Sequence, residues 1–346
     1  MTFEVVNPLA EPCWNRWVLE HEEARIFHSA EWARVLAECY GYSARCGLLK
    51  DAGRVVALLP VIEVSSLLTG RRGVSLPFSD ECAPLLGEEV RLESLVEPMR
   101  EFGRQRGWEY LELRGGAESI PGAVRSEEFT MHYLSLDGSE DQQFQKLRSC
   151  QRRNIQKARR EGVEIHRFQT LEAIDDYYAL HCLTRRRQGI PPQPRRFFHL
   201  IHENMIAPGH GFVLLARFGG QPVAGGVYFQ FGHKALYKFG AWNRAFQHLR
   251  ANSLLMWEAI CHFRRAGVTQ LSLGRTAPQQ AGLLQFKRGW GAEEVRMPYY
   301  RISLRKQVCL KPVDGDEGNG FARRIMRRLP IPVLRFLGVL AYRHVG

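Results

Sequence analysis

The chain has 346 residues, 45% of them hydrophobic and 24% charged, and its formal net charge is +12. This length is typical of two domains, and the apolar content suffices for buried cores, which excludes a wholly disordered chain. The basic balance favours anionic partners: phosphates, nucleic acid or an anionic membrane surface.

The positive charge is concentrated in two segments. Residues 146–160 carry seven basic side chains and residues 321–346 carry six, and neither segment contains an acidic residue. The rest of the chain carries 35 basic against 36 acidic side chains and is therefore nearly neutral. The sequence predicts a neutral globular body with two basic segments.

The cysteines and histidines do not indicate a metal or a hydrolytic site. The eight cysteines are scattered without zinc-ligand spacing, and the twelve histidines form no legible Ser/His/Asp or Cys/His arrangement. Neither a signal peptide nor an apolar run long enough to span a bilayer is visible. We expect reduced thiols, no bound metal or cofactor, and a cytoplasmic location.

The first half of the chain predicts a hairpin, a helix and a strand. Apolar segments 48–50 and 55–62 flank a turn at Gly53, which supplies the positive φ of a tight hairpin. Helical spacing of apolar residues over 92–102 ends at Gly107, a natural helix C-cap, and a strand follows directly.

The second half repeats this order. Segments 212–216 and 223–231 form a hairpin, a third strand covers 235–240, and a helix over 254–263 ends at Gly267 before another strand. We interpret the recurrence as an internal duplication, although helix–glycine–strand units also recur by chance in α/β proteins. Either way, the pattern predicts two mixed α/β domains.

The predicted domains are residues 1–143 and 144–310, and residues 311–346 form a linker and a basic amphipathic tail. Residues 315–320 are rich in glycine and polar side chains, which is typical of a flexible connection. Within the tail, arginines flank an apolar stretch too short to span a bilayer, which favours an interfacial anchor. A C-terminal helix packed on the domains is the alternative.

Four segments are informative as an ordered set. They are Phe-His-Ser-Ala-Glu-Trp at 27–32, the basic stretch 147–162, Tyr-Lys-Phe-Gly-Ala at 237–241 with Arg-Ala-Asn at 250–252, and Gly-Leu-Leu-Gln-Phe-Lys-Arg-Gly-Trp-Gly-Ala at 282–292. This set resembles the FemAB/FemABX family of non-ribosomal peptidyl transferases. Ser-Leu-Pro-Phe-Ser-Asp at 75–80 and the basic tail resemble the branch associated with bacterial exosortase/PEP-CTERM systems.

The resemblance covers residues 25–345 and implies two tandem GNAT-like (acyl-CoA N-acyltransferase-like) domains, each a mostly antiparallel mixed sheet flanked by helices. The best-known members transfer an amino acid from aminoacyl-tRNA to an amine on a peptidoglycan precursor. The resemblance therefore implies an N-acyl or aminoacyl transferase acting on a cell-envelope precursor. The alternatives are an acetyl-CoA-dependent GNAT enzyme and a non-catalytic scaffold.

By resemblance, Lys287 matches the functional lysine of the family, where a cation would stabilise an oxyanion or hold a phosphate. Helical periodicity favours instead a solvated Lys287, with Leu283, Leu284 and Phe286 facing inward. The segment before the helix at 254–263 corresponds to the pyrophosphate loop of GNAT enzymes. Arg250 and Asn252 stand there at positions that are glycines in those enzymes, which argues against acetyl-CoA. Helix N-capping is the simpler role for Asn252 and Ser253.

Five further residues complete the candidate site. Tyr237 is expected to border the acceptor cleft, Arg275 to clamp an anion, and Asp80 to deprotonate the attacking ammonium. Each has a simpler alternative: a core tyrosine, a surface ion pair and a solvated loop acid. Trp32 and Arg34 are weaker candidates for substrate binding, because the phosphate-binding lysine of the family is replaced here by a leucine.

Two partner surfaces follow from the charge. Residues 146–160 predict a basic helix for tRNA phosphates or a membrane surface, with an ordinary solvated face as the alternative. No aromatic residue is interleaved with these charges, so base stacking is not expected. Residues 321–346 are expected to hold the protein peripherally at the inner face of the plasma membrane.

Overall fold

The computed structural model describes residues 1–116, 120–305 and 320–345. The chain forms two compact units: the first comprises Met1–Phe129, Arg296–Gly315 and Leu340–Gly346, and the second comprises Thr130–Val295 and Asp316–Val339. The predicted linear segments at 1–143, 144–310 and 311–346 stay a prediction. Most of the predicted linker, and Cys309, lie outside the described residues.

The described residues form short strands and helices throughout. The strands are β1 (Thr2–Val6), β2 (Ser43–Ala44), β3 (Cys46–Asp51), β4 (Arg54–Leu59), β5 (Ile62–Ser66), β6 (Gly70–Val74), β7 (Leu85–Leu86), β8 (Tyr110–Arg114), β9 (Ala123–Ser135), β10 (Glu164–Phe168), β11 (Gly211–Phe218), β12 (Gln221–Phe231), β13 (Lys234–Trp242), β14 (Gln270–Thr276) and β15 (Glu293–Ser303). The helices are α1 (Trp14–Leu19), α2 (Ala30–Tyr40), α3 (Glu93–Gln105), α4 (Glu140–Lys146), α5 (Ser149–Arg160), α6 (Leu171–Gln188), α7 (Arg195–Ile201), α8 (Ala251–Arg265), α9 (Ala281–Arg288), α10 (Gly320–Met326) and α11 (Ile331–Ala341).

The first unit contains two sheets. One has the strand order β1-β3-β4-β7, and its central pair is the predicted hairpin. In the other, β15, β8, β6, β5 and β2 follow one another, with β6 parallel to β8. Leu95, Val96 and Met99 of α3 are fully buried in a core with strand residues such as Leu111, because apolar residues three and four apart share one helix face.

The second unit is built on one sheet of strand order β10-β11-β12-β13-β14-β9. All pairings are antiparallel except β13 with β14. Helices α5 and α8 pack together, and α8 buries Leu255, Ile260 and Phe263. The helix predicted over 146–160 is α5 from Ser149 onward, whereas Lys146 ends α4, because Leu147 between them has an extended ψ of 144°.

Both predicted glycine caps are present and use the same geometry. Gly107 and Gly267 have φ of 73° and 74°, and neither position is sterically crowded. The amide of the following residue bonds five residues back, Trp108 to Gly103 and Val268 to Phe263, as in a Schellman motif. The glycines are therefore required by backbone conformation rather than by close packing.

His28 is buried in the first unit as a neutral imidazole. Its Nδ1 accepts from the Arg25 amide at 3.0 Å, and its Nε2 donates to the Ala83 carbonyl at 2.9 Å. Burial lowers the pKa of His28 to about 4. Protonation would place a proton on Nδ1, where the Arg25 N–H already points, and would put a charge in the core.

Acid is therefore expected to destabilise the first unit through His28. The pKa of His28 in the fold lies below the 6.5 of a free histidine, so below pH 6.5 the unfolded chain binds a proton that the folded chain does not. The free energy of unfolding is therefore unaffected by His28 above pH 6.5 and decreases as pH falls toward 4. We expect a loss of about 2 kcal/mol at about pH 5. Urea unfolding of the protein and of His28→Gln, at neutral pH and at about pH 5, should show a smaller pH dependence in the variant. Equal dependence would contradict the assignment.

No helix within the described ranges is long and apolar enough to cross a membrane.

Candidate active site

Strands β13 and β14 diverge after a short parallel ladder. They pair only over Lys234–Leu236 against Gln270–Ser272, although β13 continues to Trp242 and β14 to Thr276. Both strands are described throughout, and beyond this ladder their facing edges are not hydrogen-bonded to each other. The divergence leaves backbone groups of β14 without strand partners on this side, and such groups must be satisfied elsewhere.

A bulge at Gly274 turns the β14 backbone toward Lys287. The β14–β9 register shifts between Ser272 and Arg275, and Gly274 has φ of 73°, which only glycine adopts readily. The Gly274 amide donates to Ser272 Oγ at 3.2 Å. The Lys287 ammonium donates to the carbonyl oxygens of Gly274 at 2.7 Å and Arg275 at 3.1 Å.

The periodicity-based expectation that Lys287 is solvated is wrong. Lys287 is only 3% exposed, whereas Leu283, which was expected to face inward, is 37% exposed. Helix α9 is only eight residues long and is positioned by the lysine and by Trp290, which follows it and is fully buried. The carbonyls of the bulge compensate for the burial of the ammonium, because a buried charge requires hydrogen-bond partners.

His132 is a member of this site that the sequence reasoning missed. It lies on β9, is completely buried, and its Nε2 is 3.5 Å from Glu294 Oε1. Glu294 in turn accepts from Arg288 at 2.6 and 3.0 Å. Burial and the nearby Lys287 charge lower the pKa of His132, so the ring is neutral at neutral pH. Only the β9–β14 pairing brings it here, so no local motif identifies it.

Tyr237 lies over a glycine patch on the same sheet. Its ring stacks on Tyr228 of β12 at 5.1 Å between centroids, and a Cβ on Gly240 would collide with its hydroxyl. Gly226, the cross-strand partner of Gly240, lies under the Tyr228 ring. Burial raises the pKa of Tyr237 to about 12, so this phenol acts as a neutral hydrogen-bonding group.

The start of α8 has one residue in the left-handed region of backbone conformation. Arg250 is exposed and has φ of 58°, a conformation that favours glycine, in agreement with its alignment to a glycine of GNAT enzymes. No side chain caps the helix, so capping by Asn252 or Ser253 is not observed. Ser253 Oγ instead donates to Gln151 Oε1 at 3.0 Å, and the Arg148 amide donates to the Gly289 carbonyl at 3.2 Å.

The basic helix α5 therefore begins beside two parts of the candidate site, the first turn of α8 and the end of α9. Gln151, Ile155 and Ala158 form its buried face. Its basic side chains lie outside this face, and Arg153 and Arg160 are exposed without a carboxylate partner among the described residues. Arg159 is paired with Glu258.

Asp80 lies in the first unit, in a loop with a strained backbone. Leu76 and Phe78 have φ of 43° and 61°, values that are unfavourable for residues other than glycine. Asp80 is only 8% exposed and is therefore not a solvated loop acid. Arg114 Nη1 holds the loop by donating to the Leu76 and Ser79 carbonyls, both at 3.1 Å. Arg114 itself pairs with the buried Glu112.

The remaining candidates are placed as follows. Trp32 is fully buried and packs edge-on against Phe27, with 5.3 Å between centroids. Arg34 lies on α2, half-exposed, 4.0 Å from Glu38. Arg275 is partly buried and contacts Lys287 through its carbonyl oxygen. The structure thus brings Lys287 and Arg275 into contact in the second unit. Arg250 and Asn252 lie in the same unit, at the start of α8.

Comparison with known proteins identifies the fold. Residues 145–288 match the family model "Acetyltransferase (GNAT) domain". No curated protein matches the sequence. The predicted fold class, mixed α/β with two tandem GNAT-like domains, is confirmed by the solved structures that the chain resembles.

Three solved structures are similar over most of their length. FemX has a TM-score of 0.70 at 13% identity, covering 88% of this chain and 97% of its own. A tandem GNAT protein from the clavulanic acid biosynthesis pathway has a TM-score of 0.59 at 12% identity, covering 89% and 99%. L-PGS from Bacillus licheniformis has a TM-score of 0.54 at 11% identity, covering 97% of both chains. The chain thus has a GNAT-type acyltransferase fold, and the resemblance to FemAB-type proteins is confirmed at the level of fold.

Proposed function

We propose that this protein is an N-acyltransferase of FemAB type, which transfers an aminoacyl group to an amine of a cell-envelope precursor at the inner face of the membrane. The observation that carries the proposal is the buried Lys287 ammonium, which is bonded to the β14 bulge at Gly274 and Arg275, just beyond the β13–β14 ladder. A fixed positive charge in a water-poor site stabilises the oxyanion that forms when an amine attacks an activated carbonyl. The fold shared with FemX supports this assignment.

In the proposed reaction, a neutral amine attacks the activated carbonyl carbon of the donor. The carbonyl oxygen becomes an oxyanion, which the Lys287 charge stabilises. The tetrahedral intermediate then collapses and expels the donor oxygen or sulfur, and the proton that the attacking nitrogen loses passes to this leaving atom, so that an amide and a free hydroxyl or thiol form. Tyr237 contributes a neutral hydroxyl and Arg275 a charge for orientation. Asp80 of the first unit stays a candidate base on the sequence alone, and the steps above do not depend on it.

Aminoacyl-tRNA is the donor that the residues favour. A long arginine occupies the left-handed position at Arg250, where acetyl-CoA-binding loops place a glycine that admits the pyrophosphate. The adjacent α5 supplies exposed basic side chains suited to a phosphate backbone. Acetyl-CoA is the second candidate, which the match to the acetyltransferase model and the uncapped start of α8 favour.

A binding screen by thermal shift tests the donor. We expect charged tRNA to raise the melting temperature and acetyl-CoA to leave it unchanged, since a ligand stabilises the fold that binds it. A clear shift with acetyl-CoA and none with tRNA would replace our assignment by the second candidate.

Removing charge from α5 is expected to weaken tRNA binding in a salt-dependent manner. In Arg152→Gln/Arg153→Gln/Lys157→Gln, three cations are lost from the helix. The slope of log affinity against log salt should fall by about 2 in magnitude. The matched control is Arg104→Gln/Arg125→Gln/Arg305→Gln, which removes three exposed arginines of the first unit. Equal effects of both variants in filter binding would contradict a specific role for α5.

A further inference from the structure

Helix α11 packs against the second unit on one side only. Leu334 is fully buried, and Gly338, one turn later, has no room for a side chain because a Cβ there would collide with the Pro192 carbonyl oxygen. Gly189 likewise accommodates the backbone of Arg323 in the preceding helix α10. These two close backbone contacts hold α10 and α11 against the second unit, so α11 has a defined orientation.

The opposite face of α11 is exposed and apolar. At about 100° per residue, Val333, Phe336, Val339 and Leu340 lie together, away from Leu334 and Gly338. Phe336 is 63% exposed, Val339 53% and Leu340 49%. A helix that is apolar on all sides is normally covered on all sides, and a bulky exposed stripe of this kind marks a binding surface.

Positively charged side chains precede and flank this face in the sequence. Arg324, Arg327 and Arg328 are exposed and have no carboxylate partner in the described part of the chain. Arg335 flanks the stripe and lies over the Tyr178 ring. The sequence from Gly320 to Gly346 contains no Asp or Glu. Phe321 and Ile325 of α10, one turn apart, add two more exposed apolar side chains.

We propose that this face, Val333, Phe336, Val339 and Leu340 with the adjacent arginines, lies in the surface of an anionic membrane. Eleven residues make a helix of about 16 Å, too short for a hydrocarbon core of about 30 Å, so α11 lies parallel to the surface. A two-fold contact with a second copy would oppose the same arginines and is therefore disfavoured. The proposal needs neither donor nor acceptor, and it extends beyond acyl transfer.

Deletion of the tail is not a suitable test of membrane binding. Deletion of residues 321–346 would remove Leu334 from a core and the His344 carbonyl from Arg72 Nη2, to which it is bonded at 3.0 Å in the first unit. A deletion would therefore perturb folding as well as binding. Point substitutions on the exposed face avoid this problem, because they leave Leu334 and Gly338 intact.

The experiment is flotation of the full chain with phosphatidylcholine vesicles, with or without about one-third phosphatidylglycerol. We expect binding only to the anionic vesicles, weaker at high salt. Phe336→Ser/Val339→Ser should abolish it, and Arg327→Gln/Arg328→Gln should lower the partition coefficient roughly 30-fold, at about tenfold per 1.4 kcal/mol. The control Arg104→Gln/Arg125→Gln makes the same charge change at two exposed arginines of the first unit and should bind like the unmodified protein.

Melting temperatures and gel filtration complete the test. The face variants should melt like the unmodified protein, since the substituted side chains are exposed. Equal binding to neutral vesicles, or equal loss of binding in the first-unit control, would overturn the proposal. A dimer that Phe336→Ser/Val339→Ser converts to a monomer, without vesicle binding, would assign the face to a second copy instead.

Discussion

Replacing Lys287 with methionine is expected to slow acyl transfer by about 10²- to 10³-fold while leaving donor affinity nearly unchanged. The ammonium stabilises charge that develops only in the transition state, so its loss lowers kcat rather than raising KM. Lys287→Arg retains the charge and should recover part of the rate. Transfer from charged tRNA to envelope precursors is the assay, with donor binding measured separately.

The control is Arg288→Gln, next along α9. It removes one positive charge from an exposed ion pair with Glu294 and should change the rate less than about threefold. Methionine also removes two hydrogen bonds to the bulge, so the melting temperature must be measured beside the rate. A normal rate in Lys287→Met would rule out the catalytic role of Lys287, whereas no transfer by the unmodified protein would favour the non-catalytic scaffold.

The largest loss of stability is expected from Glu112→Gln. The carboxylate is buried between two arginines and accepts from Arg114 at 3.2 and 3.3 Å and from Arg301 at 2.8 Å. Burial would raise the pKa of Glu112, but the two guanidinium charges hold it below its usual value. Neutralising it leaves two arginines without their counter-charge and should cost about 3–5 kcal/mol.

Urea unfolding measures this loss, and Glu101→Gln is the matched control. Glu101 is exposed on α3 and pairs with Arg104, so its replacement should cost less than about 0.5 kcal/mol. Because Arg114 also holds the carbonyls of Leu76 and Ser79, the Asp80 loop should exchange its amide hydrogens faster in Glu112→Gln. A loss below about 1 kcal/mol would show that the arginines find other partners.

Much of the fold was predictable because its determinants are local. The hairpins, the helices that end at Gly107 and Gly267, and the strands that follow depend on apolar spacing and on glycine at positive φ. The ordered motifs also predicted the tandem GNAT-like fold. The break between α4 and α5 at Leu147 was not predicted, since that residue has no strong local preference.

The candidate site was predictable only in part. Lys287 was identified by resemblance, whereas helical periodicity placed it in solvent, because α9 is too short for its pattern to determine a buried face. His132 and Gln151 escaped notice because their partners lie far along the chain: Glu294 beside His132, and Ser253 bonded to Gln151. Glu112 was likewise indistinguishable from an ordinary strand acid.

The sequence by itself determined where the charge of this protein lies and where many of its helices, strands and turns are, because these properties depend on neighbouring residues. Only the tertiary structure decided what the charges do. A bulge in β14, where its pairing with β9 is interrupted, presents the two carbonyl oxygens that accept hydrogen bonds from the buried Lys287 ammonium. Packing of Leu334 and Gly338 determines which face of an apolar helix remains exposed. Both outcomes depend on contacts between distant segments, which no local pattern encodes.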